Sequence, residues 1–143
     1  LAGLLALPVD VTSEHFILVH DAARPCLWHD DLSRLIALAG AGEGGLLACP
    51  VRDTLKRADV DQYVMQTEPR AALWRALTPQ MFRRGALSAA LQSASAQGIR
   101  ATDEAMAMEL VGIRPLLVEG REDNIKVTTP ADLILAGFLL PRW

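Results

Sequence analysis

The sequence has 143 residues, of which 51% are hydrophobic and 22% charged, and its formal net charge is −3. A chain of this length buries one hydrophobic core, so we expect a single domain over residues 1–143, and the apolar content excludes a disordered chain. The acidic balance argues against binding to nucleic acid or to an anionic membrane surface, because both require a basic protein surface.

The cysteines and the apolar stretches bear on the cellular compartment. Cys26 and Cys49 lack the spacing of metal ligands and are too few for a disulfide framework, so we expect two free buried thiols in a reducing cytoplasm. The longest apolar stretches, such as residues 133–140, are too short to span a bilayer. We therefore expect a cytoplasmic protein that has no membrane partner.

The first half of the chain shows a strand–helix–strand pattern. The continuous apolar run at residues 16–19 predicts a buried strand at the centre of a parallel sheet. Residues 30–39 carry apolar side chains at helical spacing, with Asp30 or Asp31 available as the helix cap. Residues 45–49 predict the next strand, and this alternation indicates the α/β class.

Residues 51–72 are typical of a β-hairpin, with two mostly polar strands and a turn at residues 58–61. A two-stranded ribbon is marginally stable by itself in water. We therefore expect the hairpin to pack on something larger, either a second subunit or its own domain.

The remaining elements continue the mixed pattern. They are a helix over residues 85–96, a helix from residues 102–104 to Gly112, a strand over 114–118, an extended segment over 124–127 and a helix from Pro130 to near Leu140. The Thr102 hydroxyl is suited to accept the free amide hydrogens of the second helix, while Asp103 and Glu104 favour its positive end.

Charged side chains follow the predicted strands in two places. Asp21 and Arg24 come directly after the apolar run at residues 16–19, and Lys126 lies on the extended segment near the end of the chain. Ligands of open α/β sheets bind at the carboxyl ends of the strands. The sequence therefore predicts a site for an anionic, phosphorylated ligand, with Asp21 available for a ribose hydroxyl or a metal ion.

Five short motifs occur in order along the chain. They are DAARP (residues 21–25), PVRDTLK (50–56), LTPQ (77–80), TDE (102–104) and EGREDNIKVT (119–128). In this combination the chain closely resembles the 2-C-methyl-D-erythritol 4-phosphate cytidylyltransferase family of non-mevalonate isoprenoid biosynthesis, and the resemblance covers nearly the whole chain.

The resemblance implies both a fold and an activity. The fold is a Rossmann-like nucleotidyltransferase sheet with flanking helices and a protruding β-hairpin arm. The activity is transfer of a cytidylyl group from CTP to 2-C-methyl-D-erythritol 4-phosphate, with release of pyrophosphate and with Mg²⁺ or another divalent cation as cofactor. Because the attacking phosphate is already an anion, no general base is required, and catalysis depends on positioning and on charge neutralisation.

For CTP, the resemblance implies binding by Asp21, Ala22 and Arg24, with Asp21 also near the metal ion. Asp123 is a second candidate near the metal. Its alternatives are to orient Lys126 or to cap the turn after Gly120.

For the second substrate, the resemblance implies that Lys126 and Arg70 position the phosphate and that Thr54, Thr78 and Thr102 contact the substrate through their hydroxyls. In the family the hairpin arm crosses to the other subunit of a homodimer, so Arg70 and Thr54 would complete the partner's site. Without the resemblance, Arg70 is an ordinary surface arginine, and Thr102 is a helix cap.

The chain also departs from the family pattern. The family begins with a glycine-rich loop and a nearby Pro-Lys-Gln segment that together hold the triphosphate, and this sequence contains neither. We therefore expect an N-terminally incomplete chain that is inactive by itself. Two alternatives remain: a cytidylyltransferase for another polyol phosphate, such as ribitol 5-phosphate, and a non-catalytic dimerising remnant of the enzyme.

Overall fold

The computed structural model describes residues 1–140. Its helices are α1 (Ala2–Leu5), α2 (His29–Ala39), α3 (Arg84–Ala96), α4 (Glu104–Leu110) and α5 (Pro130–Leu139). Its strands are β1 (Phe16–Val19), β2 (Gly45–Pro50), β3 (Leu55–Ala58), β4 (Val64–Glu68), β5 (Trp74–Arg83) and β6 (Leu116–Glu119). The α/β class expected from the sequence is confirmed.

Four strands form the main sheet in the order β1-β5-β2-β6, and β3 pairs with β4 in a separate hairpin. Strand β5 runs antiparallel to both β1 and β2, whereas β2 and β6 are parallel. Strands β1, β2 and β6 therefore point in one direction. The segments that follow β1 and β6 consequently leave the sheet at the same end, where the carboxyl ends of these strands lie.

Helices cover both faces of the main sheet because its strands alternate their apolar side chains. Leu46 and Phe82 pack towards α3 and α4 in one buried cluster. Their neighbours Leu47 and Met81 pack with Leu35 of α2 in a second cluster on the opposite face. The sheet is thus the middle of three layers, and it is buried where β2 and β5 cross the centre.

The predicted position of β1 is wrong, although its bounds are confirmed. The strand is an outermost (edge) strand of the sheet. Its one neighbour is β5, and this pair is antiparallel. None of its four residues is fully buried, and Leu18 is 39% exposed. A continuous apolar run shows that a strand is favoured, but it does not determine which strand lies beside it.

Strand β5 was not predicted, although it is one of the two central strands. Pro79 cannot donate a hydrogen bond to a neighbouring strand, and Thr78 and Gln80 interrupt the apolar pattern. Gln80 is nevertheless 1% exposed. Its side-chain amide donates to Asp103 Oδ2 at 3.0 Å, and its side-chain oxygen accepts the amide hydrogen of Ala105 at 2.8 Å. These partners make its burial possible.

Two predicted helix caps are also wrong. Helix α2 begins after Trp28 without a side-chain cap, and Asp31 lies buried within its first turn. Helix α4 is capped by Asp103, whose Oδ1 accepts the amide hydrogen of Met106 at 2.8 Å, instead of by Thr102. Asp103 is fixed there by Gln80, a residue distant in sequence.

The predictions for the last part of the chain are confirmed in part. The predicted extended segment at residues 124–127 forms no strand. Helix α5 has Pro130 at its first position, as predicted, and Thr129 and Asp132 form a reciprocal capping box at its start. The segment before α5 is therefore joined to the first turn of a helix.

The buried and the exposed face of α2 predict different effects of substitutions at two neighbouring residues. Leu35 is 0% exposed and packs on the sheet, whereas Ile36 is 48% exposed. We expect Leu35→Ala to lower the free energy of unfolding by about 2–5 kcal/mol, because it removes buried contacts and leaves a cavity. Ile36→Ala is the matched control and should change it by less than about 0.5 kcal/mol. Urea denaturation measures both, and equal effects would contradict this packing.

Candidate active site

Asp21 and Lys126 form an ion pair at the edge where β1 and β6 end. Lys126 Nζ lies 2.9 Å from Asp21 Oδ2, and the two side chains are 47% and 37% exposed. The hydrogen bond from Lys126 lowers the pKa of Asp21 below its ordinary value of 3.8, and the nearby positive charges of Lys126 and Arg24 contribute to the same effect. The carboxylate is therefore held in its ionised form, adjacent to an ammonium group.

Thr78 of β5 connects the turn after β1 to the central part of the sheet. Its hydroxyl oxygen accepts the amide hydrogen of Asp21 at 3.0 Å and lies 2.9 Å from His20 Nδ1. His20 Nε2 lies 3.0 Å from the carbonyl oxygen of Arg24, which can only accept. In the neutral ring, Nε2 thus donates to Arg24 and Nδ1 accepts from the Thr78 hydroxyl. His20 has a structural role in this arrangement.

Asn124 is the buried connection between the two halves of the site. Its side-chain amide donates to the carbonyl oxygen of Thr78 at 2.8 Å, and its own carbonyl oxygen accepts from the Arg24 guanidinium at 2.7 Å. The residue is 0% exposed. Within residues 1–140, Asn124 Oδ1 and Arg24 Nε are buried without a hydrogen-bond partner. Burial also lowers the pKa of Arg24.

The two residues directly after Lys126 are both held by hydrogen bonds. Val127 donates its amide hydrogen to the carbonyl oxygen of Ala23 at 2.7 Å. The amide and hydroxyl of the next residue, Thr128, both donate to Asp132 Oδ2 at 3.0 Å. Hydrogen bonds from Thr128 and Thr129 lower the pKa of Asp132 to about 2. Lys126 is therefore positioned by the turn after β1 and by the start of α5.

Asp123 forms its ion pair with Arg121. The closest contact, from Arg121 NH2 to Asp123 Oδ2, is 2.7 Å, and Arg121 Nε is within 3.1 Å of both carboxylate oxygens. The Arg121 guanidinium also stacks over the ring of Trp28 at 4.3 Å from its centre. The Arg121 amide donates to the buried carboxylate of Asp31 at 2.8 Å. These contacts anchor the loop after β6 to α2.

Three of the predicted substrate residues lie away from the Asp21–Lys126 pair. Arg70 NH1 lies 3.4 Å from the Thr54 hydroxyl at the foot of the hairpin, and both side chains are exposed. The Thr102 hydroxyl contacts Met106 Sδ at 3.5 Å. Among the described residues, none of these three contacts Asp21 or Lys126. Ala22 lies exposed in the turn beside Asp21, which Arg24 closes by donating its amide hydrogen to the Asp21 carbonyl at 2.9 Å.

A cavity of about 380 Å³ adjoins these side chains. Its lining residues are Arg24, Arg75, Ala76, Leu77, Glu122, Asn124, Ile125 and Lys126. Sequence reasoning did not select Arg75 or Asn124, because the importance of each depends on partners that are distant in the chain. Asn124 lies within the EGREDNIKVT motif, and Arg75 lies three residues before Thr78. Their closeness to the motifs in the sequence was the signal that could have identified them.

Residues 1–140 contain no group of three or more His, Cys, Asp or Glu side chains arranged to hold a metal ion. No helix in this range is both long and apolar enough to cross a bilayer.

The fold matches that of solved cytidylyltransferase structures, so it is a nucleotidyltransferase fold. A solved structure from Francisella tularensis, 2-C-methyl-D-erythritol 4-phosphate cytidylyltransferase, superposes with a TM-score of 0.87 and 34% identity, covering 95% of this chain and 64% of that one. The sequence model of the 2-C-methyl-D-erythritol 4-phosphate cytidylyltransferase family matches residues 1–142. The chain belongs to this family.

Curated relatives with the same description extend the match at higher identity. The protein from Xanthomonas oryzae pv. oryzae is 61% identical over 144 residues, which cover 99% of this chain and 53% of the relative. The protein from Stenotrophomonas maltophilia is 61% identical over 143 residues, covering 99% of this chain and 62% of the relative. The chain thus spans between half and two thirds of the length of these relatives.

The ion pair predicts a measurable change in the titration of Asp21. We expect Lys126→Met to raise the pKa of Asp21 towards 3.8, because the main hydrogen bond to its carboxylate is lost. Lys56→Met is the matched control, since Lys56 is the other lysine of the sequence and donates to Thr67 on the hairpin. Carboxyl-carbon NMR during an acid titration reports the pKa in each variant.

The sign of the linked stability follows from the direction of this shift. Because the pKa of Asp21 is lowered by folding, its stabilising contribution is present above pH 3.8 and is lost as the pH falls through the lowered value. Lys126→Met should reduce that acid-dependent loss. If Asp21 titrates at the same pH in both lysine variants, the pair does not persist in solution.

Proposed function

We propose that the intact native protein transfers a cytidylyl group from CTP to 2-C-methyl-D-erythritol 4-phosphate and releases pyrophosphate. The observation that carries this proposal is the Asp21–Lys126 pair with Arg24 and Thr78 at the edge of a nucleotidyltransferase sheet. The names of the family and of its relatives supply the acceptor, methylerythritol phosphate, and the cytidylyl group that is transferred. The two free buried cysteines, Cys26 and Cys49, are compatible with a cytoplasmic location.

The chemistry proposed for this site is in-line attack of a phosphate oxygen on the α-phosphorus of CTP. A bond forms between that oxygen and the α-phosphorus, and the bond to the bridging oxygen of pyrophosphate breaks. Lys126 neutralises negative charge on the attacking phosphate and Arg24 neutralises charge on CTP, which reduces the repulsion between the two anions in the transition state. Asp21 accepts a hydrogen bond from the ribose, and the Thr78 network fixes its backbone.

We propose Mg²⁺ as the cofactor, with Asp21 as the residue of this chain that would hold it. Mg²⁺ in such sites uses one or two carboxylates together with substrate phosphates, and one oxygen of Asp21, Oδ1, has no hydrogen-bond partner within residues 1–140. Asp123 fits less well because both of its oxygens face Arg121. When bound, the ion would neutralise charge on the triphosphate.

We further propose that the hairpin arm, residues 51–72, associates with a second copy of the chain. Its strands bury none of their residues, and Tyr63, Val64 and Met65 are 74%, 62% and 64% exposed. A cluster of exposed apolar side chains on a marginal ribbon favours a protein partner. In this arrangement Arg70 and Thr54 enter the partner's site.

The proposed role of Lys126 predicts a large loss of turnover. In the intact native protein, Lys126→Ala should lower kcat/KM for methylerythritol phosphate by about a hundredfold, since it removes a charge that faces the reacting phosphate. Lys56→Ala is the control and should retain activity. Pyrophosphate release measures both, with ribitol 5-phosphate as the competing acceptor. Unchanged turnover in Lys126→Ala, or preference for ribitol phosphate, would contradict the proposal.

The crossing arm predicts complementation between two inactive variants. Arg70→Ala subunits and Asp21→Ala subunits should each have low activity alone. Mixed dimers should recover part of it, because one of their two sites receives both intact residues. Differently tagged subunits purified in tandem provide verified heterodimers, and the absence of recovery in them would refute the crossing.

A further inference from the structure

Arg75 is a cation beside the site for which the structure shows no counterion. It lies on β5, pairs there with Cys49 of β2 through the backbone, and lines the same cavity as Arg24 and Lys126. Its side chain is exposed, and within residues 1–140 it forms no ion pair and no side-chain hydrogen bond. The strand that carries it is hydrogen-bonded into the main sheet, so its position is well defined.

The other charged groups near this cavity already have partners. Lys126 lies 2.9 Å from Asp21 Oδ2, and Arg24 Nε lies 3.8 Å from the same oxygen. Glu122 is the acidic residue that lines the cavity, but its carboxylate pairs with Arg52 at 2.5 Å. Arg75 therefore adds a positive charge that the neighbouring carboxylates do not balance.

The charge of Arg75 also acts on its neighbours. Burial is the main cause of the lowered pKa of Arg24, and the positive charge of Arg75 lowers it further, against the opposing effect of Asp21. Like charges at short range disfavour each other unless an anion lies between them. This repulsion would be relieved by a ligand with two negative charges.

We propose that Arg75, next to Arg24, binds the phosphate monoester of the polyol substrate together with Lys126. This inference rests on the proposed function and adds to it a residue that determines affinity for the acceptor substrate. The guanidinium group has a planar set of donors that matches two phosphate oxygens at once, whereas Lys126 acts as a single point charge. Because Arg75 needs no existing partner to be displaced, it is available to the phosphate on arrival.

The test compares two arginine variants in the intact native protein. Arg75→Gln removes the charge and keeps much of the side-chain length. Arg114→Gln is the matched control, because Arg114 is also exposed but precedes β6 and thus lies at the opposite edge of the sheet. Arg75→Lys, which keeps the charge, tests whether charge alone suffices.

The expected results concern affinity more than rate. Arg75→Gln should raise the Kd for methylerythritol phosphate, measured by calorimetry, and its KM by at least about tenfold, the effect of losing one charged hydrogen bond. The kcat, the KM for CTP and the thermal unfolding midpoint should change little. Arg75→Lys should recover part of the affinity, and Arg114→Gln should match the wild type.

Other outcomes overturn the inference. An unchanged Kd for methylerythritol phosphate in Arg75→Gln would refute it even if the wild type is active. A raised KM for CTP alone, or a weakened dimer with normal substrate affinity, would assign Arg75 to the nucleotide or to the subunit contact. A wild-type protein that binds methylerythritol phosphate without turnover would refute the proposed function, while the calorimetry would still decide the role of Arg75.

Discussion

Three segments that are far apart in the sequence meet because buried hydrogen bonds join them, and Asn124 makes two of these bonds. It donates to the carbonyl of Thr78 and accepts from the side chain of Arg24. A buried carbonyl left unpaired costs about 1–3 kcal/mol. The positions of Asp21 and Lys126 depend on this connection, because each lies within three residues of an atom that it holds.

The loop before Lys126 shows how charge is organised around the site. Asp123 pairs with Arg121, and Glu122 pairs with Arg52 at the start of the arm. The buried carboxylate of Asp31 accepts the Arg121 amide. The acidic residues of this loop thus serve to fix its backbone. Of the three cationic side chains that line the cavity, Arg75 is the one without a counterion within residues 1–140.

Much of this fold and site could be predicted from local sequence. The helix at residues 30–39 and the strand at 45–49 follow from apolar spacing alone, and the proximity of Asp21 to Lys126 follows from the rule that parallel strands end at one edge. The features that the sequence did not predict depend on contacts with residues distant in the chain. Strand β5 is stable despite Thr78 and Gln80 because both are hydrogen-bonded to other elements, and no local pattern reveals those partners.

The choice of helix cap shows the same limit on a smaller scale. Thr102 and Asp103 are both suitable cap residues by type. Asp103 takes the position because its second oxygen accepts a hydrogen bond from Gln80 on β5. The unbalanced charge of Arg75 is likewise a property of its surroundings, since it depends on the ion pair between Glu122 and Arg52.

The hairpin arm is inserted between β2 and β5, the two central strands, and its ends are closed by a hydrogen bond from the Val51 amide to the Leu73 carbonyl at 2.9 Å. The main sheet can therefore form regardless of the length or sequence of the arm, since the entropic cost of closing such an insertion rises only slowly with its length. Apart from Arg52, which pairs with Glu122, and from Arg70 and Thr54 with their proposed roles, the arm can diverge without cost to the core. In the proposed dimer, recognition between subunits can thus evolve separately from the stability of the fold.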